Sequence, residues 1–129
     1  MPVEESMKKK ILLAEDDGSM RRFVEIILKK ANYDVVSAED GLIAMKNAMS
    51  ENFNAVVADA MMPNLTGHDL CRMLRQNPQT KSIPFVILSG FEQEDGKDCL
   101  ADAYLTKGTN LKEELLKTLS EVLLEKAKN

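Results

Sequence analysis

A doubly wound α/β fold, with one parallel sheet covered by helices on both faces, is predicted by three observations. The first is Asn54-Ala55-Val56-Val57-Ala58-Asp59, four small or β-branched apolar residues running without polar alternation into a carboxylate. Such a run reads as a strand buried on both faces of a parallel sheet. Pro63 bars the ladder from continuing, so this strand ends between Asp59 and Pro63. The second is alternation: short apolar strands are separated by helical patterns, as right-handed βαβ crossovers require. The third is chemical. Glu15-Asp16, Asp59, Ser89 and Lys107 end four of the strands, and in a sheet of order 2-1-3-4-5 strands 1 and 3 flank the crevice where open α/β sheets hold ligands.

Residues 1–8 are polar and read as a frayed lead-in, leaving 9–129 as one domain. Lys9-Lys10-Ile11-Leu12-Leu13-Ala14 is the first strand, and it runs into Glu15-Asp16-Asp17. Met20, Phe23, Val24, Ile27 and Leu28 then recur at helical spacing, with Arg21, Arg22, Glu25, Lys29 and Lys30 on the other side. Asn32-Tyr33 breaks that helix, and Asp34-Val35-Val36-Ser37 is the second strand. A second helix carries Leu42, Ile43, Ala44, Met45, Ala48 and Met49, opened by Ser37 or Asp40. After the Asp59 strand, Thr66-x-x-Asp69 is a capping-box-like start for a helix that turns Leu70, Met73 and Leu74 inward. Phe85-Val86-Ile87-Leu88 is the fourth strand, stopping at Ser89-Gly90. Phe91 to Leu100 has room for two helical turns at most and contains Gly96, so the fourth helix is shortened. Ala103-Tyr104-Leu105-Thr106 is the fifth strand, and Asn110-x-x-Glu113 opens a last helix with Leu111, Leu115, Leu119 and Val122 facing in.

Composition narrows the function classes. With 21 acids against 17 bases the net charge is −4, which offers no general attraction for nucleic acid or an anionic membrane. Aromatics are only 5%, so aliphatic residues carry the core. Cys71 and Cys99 are too isolated for a disulfide framework or a metal motif. No apolar run approaches the length of a membrane span, and Met1 to Lys10 lacks a signal-peptide apolar region. A cytoplasmic protein is expected. His68, after Gly67, reads as a partly exposed surface residue, and the eight methionines as core fillers.

Four segments together resemble the CheY-like receiver domain of bacterial two-component response regulators. They are Ile11-Leu12-Leu13-Ala14-Glu15-Asp16-Asp17, Val56 to Pro63 with Gly67, Ile83 to Gly90, and Tyr104-Leu105-Thr106-Lys107. The resemblance covers Lys9 to Leu124 and implies a flavodoxin-like (βα)5 three-layer sandwich. Residue by residue it implies Asp59 as phosphoacceptor, Lys107 and Ser89 as catalytic partners, and Ser89 and Tyr104 as the switch pair. It also implies Mg²⁺ held by Glu15, Asp16, Asp59 and the Met61 carbonyl. Glu15-Asp16 rather than Asp16-Asp17 aligns with the acidic pair of the family, because Arg21 then falls where the family has a basic residue.

The implied partners are a histidine kinase or histidine phosphotransfer protein upstream and a protein target downstream, for a monomer or weak dimer that is not an enzyme in the catalytic-turnover sense. The chain stops at Asn129, soon after the last helix, so no effector domain and an output by protein binding are expected. A phosphatase of the haloacid dehalogenase type would need a second Asp where Met61 stands. A pseudo-receiver used only for docking is the rival reading. It draws on Gly108, where the family usually has proline, and on a short gap between Ser89 and Lys107. Without proline the Lys107-Gly108 bond is expected trans, since a cis bond costs about 2.5–4 kcal/mol.

Overall fold

The computed structural model describes residues 8–90 and 101–128. Five strands, β1 (Lys10–Ala14), β2 (Asp34–Ala38), β3 (Ala55–Asp59), β4 (Phe85–Ser89) and β5 (Ala103–Thr106), form one sheet of order β2-β1-β3-β4-β5. Every pairing is parallel. Helices α1 (Gly18–Lys30), α2 (Gly41–Ser50) and α3 (Gly67–Arg75) supply the first three crossovers, and α4 (Leu111–Lys128) follows the last strand. The expected short helix falls on residues 91–100, outside the described residues. No helix among the described residues is long and apolar enough to cross a membrane.

The unbroken apolar runs of the central strands follow from burial on both faces. Alternate residues feed two cores. Leu12, Val56, Ala58, Phe85 and Ile87 meet Ala44, Ala48, Leu70 and Leu74 of α2 and α3. Ile11, Leu13, Val57, Val86 and Leu88 meet Val24, Leu28, Leu111, Leu115 and Leu119 of α1 and α4. All five residues of β3 are buried, whereas β5 alternates between half-buried and exposed.

Local signals set the helix ends. Asp17 caps α1 by accepting Met20 N–H at 2.9 Å, and Asp40 rather than Ser37 caps α2 by accepting Ile43 N–H at 2.9 Å. Ser37 lies inside β2 and donates to Glu25 of α1 instead. Asn32, at φ 74°, ends α1 with two bonds that point backwards, Asn32 N–H to Lys29 O at 3.0 Å and Tyr33 N–H to Leu28 O at 3.1 Å. Thr66 Oγ1 caps α3 by accepting Asp69 N–H at 3.1 Å.

Several apolar residues face solvent against expectation. Met73 is 39% exposed and Cys71 takes its place in the buried stripe of α3, so the stripe keeps Leu70 and Leu74 but is turned towards the Cys71 side. Phe23 of α1 and Leu42 and Ile43 of α2 are also exposed, because Val24, Ile27 and Leu28, and Ala44 and Ala48, suffice to cover the sheet. At the far end of the sheet, Arg75 donates to the carbonyls of Lys81 and Ile83 and pairs with Asp102 at 3.1 Å. The same Asp102 oxygen accepts Phe85 N–H at 2.8 Å, which ties the entry of β5 to that of β4.

Candidate functional site

The carboxyl ends of β1, β3 and β5 converge on one cluster of charge. Glu15 follows β1 and is 1% exposed, while Asp59 ends β3 and is 6% exposed. Neither position is chosen for packing, since burying a carboxylate without compensation is costly. Compensation comes from Lys107, which follows β5. Its ammonium lies 2.5 Å from Asp59 Oδ1 and 3.1 Å from Glu15 Oε1. The register of the sheet makes this possible, because Lys107 N–H bonds to Ser89 O at 2.8 Å and β4 lies beside β3. The Lys107–Gly108 peptide is trans, and the lysine reaches the cluster nonetheless.

Asp16 is exposed at the rim, and one carboxylate oxygen each from Glu15, Asp16 and Asp59 lie within 4.8 Å of one another. Three acids against one lysine leave the cluster negative. Burial raises the Asp59 carboxyl above its usual 3.8, with Lys107 opposing the shift and the charge of Asp16 adding to it. Burial likewise raises Glu15 above 4.5, opposed by the Asp17 N–H at 3.1 Å and by Lys107, and reinforced by Asp59. Burial acts to lower Lys107, but the bond and charge of Asp59, with Glu15 behind it, outweigh this and hold its pKa above 10.5. Buried Glu15 Oε1 receives no hydrogen bond of good geometry. Its 3.1 Å contact with the lysine is electrostatic, set by proximity rather than direction.

An under-neutralised set of hard oxygen ligands with one buried oxygen lacking a directed donor fits a hydrated divalent cation such as Mg²⁺. Met61 donates its backbone N–H to the Asp59 carboxylate, and the residue is 73% exposed. Arg21 donates from Nη1 to the Glu15 carbonyl at 2.9 Å and so holds the backbone after β1. Gly67 lies against β3, where a Cβ would collide with the Asp59 carbonyl oxygen. Ser89 is half-buried at the end of β4, paired in register with Thr106.

Tyr104 stands one strand away from this cluster, 45% exposed on β5. Its ring stacks on the His68 imidazole, an association sequence reasoning missed. The signal available was that His68 opens α3 beside Gly67, at the same end of the sheet as Asp59.

The profile of the response regulator receiver domain family matches residues 11–120. The chain belongs to that family. ArlR of Staphylococcus saprophyticus is 35% identical over 118 residues, 88% of this chain, and the chain spans 52% of ArlR. PilG of Pseudomonas aeruginosa is 36% identical over 111 residues, 83% of this chain and 82% of PilG. The response regulator TrrA of Thermotoga maritima, solved in complex with Mg²⁺ and BeF, superposes with a TM-score of 0.81 at 25% identity, covering 88% of this chain and 98% of TrrA. The receiver domain of this chain is thus a two-component signalling module, with the fold and strand order expected of it.

Proposed function

We propose that Asp59 is the phosphoacceptor of this receiver domain, taking a phosphoryl group from a phosphohistidine on a histidine kinase or histidine phosphotransfer protein. The observation that carries this is the convergence of a buried aspartate, two further acids and a lysine ammonium at the carboxyl end of the sheet. An Asp59 oxygen attacks phosphorus in line, an O–P bond forms, the P–N bond breaks, and the departing imidazole takes a proton from solvent. Mg²⁺, held by Glu15, Asp16, Asp59 and the Met61 carbonyl, would supply the positive charge that lets one anion approach another. Lys107 and the Ser89 hydroxyl neutralise or bond the phosphoryl oxygens as charge spreads over them.

The acylphosphate then offers a new acceptor for Ser89, and movement of Ser89 opens room for Tyr104, so that one local bond biases the surface around β5. The output is binding to a downstream protein. The single domain spans 9–129 and works in the cytoplasm as a stoichiometric acceptor, with only a slow return reaction of its own. Its size and acidic surface suit protein partners rather than nucleic acid, as a monomer or weak dimer.

Incubation with Mg²⁺ and acetyl phosphate, followed by intact-mass measurement, tests the assignment. One phosphoryl group is expected on the parent and none on Asp59→Asn. Equal labelling of both proteins would overturn it and leave the docking-only reading in its place.

A further inference from the structure

His68 and Tyr104 form a near-parallel pair, with ring centroids 6.2 Å apart and planes inclined by 25°. At that separation the rings are offset, the arrangement aromatic pairs favour. The two residues come from different layers, Tyr104 from β5 and His68 from the second position of α3. The first turn of α3 is fixed from several sides. Thr66 caps it through Asp69 N–H, Arg72 holds the Asp69 carboxylate at 2.6 Å, and Gly67 N–H bonds to the Ala60 carbonyl at 3.1 Å. Gly67 also packs so tightly on the Asp59 carbonyl that no side chain fits between them. A continuous contact path therefore runs from Asp59 through Gly67 and His68 to the Tyr104 ring, separate from the path through Ser89.

We propose that His68 is a positioning residue whose ring latches Tyr104 in its exposed place, with the latch set by the loop after Asp59 through Gly67. The proposal rests on the reading of Tyr104 as the switch aromatic. A tyrosine side chain chooses among several staggered rotamers. Stacking on a ring anchored in α3 selects one of them, and a pair of this kind biases the equilibrium about two- to tenfold. Because Gly67 leaves no slack, a shift of the Asp59 loop carries the His68 ring with it and loosens the pair. Phosphorylation then acts on Tyr104 twice, by making room beside Ser89 and by releasing the hold from α3.

Tyr33→Phe leaves Tyr104 as the only tyrosine, so its ring gives a single set of tyrosine signals in an aromatic ¹H–¹³C NMR spectrum. In that background the parent, His68→Ala and His68→Phe are titrated with beryllofluoride in Mg²⁺. Beryllofluoride is expected to shift the Tyr104 signals of the parent. His68→Ala should displace them part of the way beforehand and bind beryllofluoride about two- to tenfold more tightly. His68→Phe keeps a flat ring for stacking and should return both readouts towards the parent. Parent-like signals and affinity in His68→Ala would overturn the latch and leave the switch reading standing. Tyr104 signals in the parent that ignore saturating beryllofluoride would overturn the switch reading, and the latch with it.

Discussion

Strands β3 and β5 each deliver a charged residue to the same cluster, yet they are built in opposite ways. β3 is buried along its whole length, with β1 and β4 on its edges and a core on each face. β5 is an edge strand, and it presents Tyr104 and Thr106 to solvent. The residue that must not move, Asp59, sits on the strand that cannot. The residue proposed to report on it sits on a strand paired along one edge only. Rigidity at the centre fixes attack geometry, and openness at the edge lets a single bond change a surface.

That contrast can be broken most forcefully in the core. Leu88→Ala, at a fully buried β4 site beside Asp59, should destabilise the fold by about 2–5 kcal/mol in urea unfolding. Leu105→Ala, half-buried on β5, should cost less than about 2 kcal/mol. Equal losses would mean that the edge is as tightly held as the centre.

A smaller effect is expected from metal. If Mg²⁺ binds with a Kd of about 0.1–1 mM, then 10 mM Mg²⁺ stabilises the protein by about 1.4–2.7 kcal/mol. Asp16→Asn should remove most of that gain, and an undiminished gain would sink the ligand assignment. Next comes the lifetime of phospho-Asp59. Neither Met61 nor Phe91, the latter outside the described residues, carries a side-chain group able to hydrogen-bond and orient a water. Met61→Asn with Phe91→Glu should speed decay in Mg²⁺ by the order of tenfold, and equal or slower decay in the double variant would show that water is positioned otherwise.

The subtlest test is pH. Burial raises the Glu15 and Asp59 carboxyls, so their stabilising contribution is present below the unfolded values of 4.5 and 3.8 and lost as pH rises through the higher folded values. Without metal, Glu15→Gln should therefore melt higher than the parent at neutral pH. The difference should close as pH falls through the carboxylate range. A gap that stays constant with pH would mean that Glu15 is not held against its charge.

Much of the fold was legible because parallel strands leave unmistakable runs. Ala55–Asp59 and Phe85–Ser89 are continuous apolar stretches that only two-sided burial explains, and both formed within a residue of expectation. The site was legible for the same reason, since the ends of such runs are where polar residues must serve some purpose. Asp59, Glu15 and Lys107 meet as the strand order requires. Faces of helices were harder. The i, i+3, i+4 spacing chose Leu70, Met73 and Leu74, whereas the helix buries Leu70, Cys71 and Leu74. Periodicity gives the width of a stripe and not its rotation against the sheet. The cap of α2 was open between Ser37 and Asp40 because both side chains can accept an N–H. The His68 stack was invisible because it joins positions distant in sequence whose only link is the tertiary packing.

The Arg75–Asp102 pair has a consequence for how this domain can diversify. Because Asp102 holds both Arg75 and the Phe85 N–H, the start of β5 is moored to the start of β4 independently of the peptide between Gly90 and Ala101. The ends of that connection are thus held, and the closure entropy of a connection grows only slowly with its length. Doubling it with a Gly-Ser insert should cost about 0.6 kcal/mol and leave Mg²⁺ affinity unchanged. The mooring makes this connection the place where new partner-reading surface can be grafted while the acid cluster stays as it is.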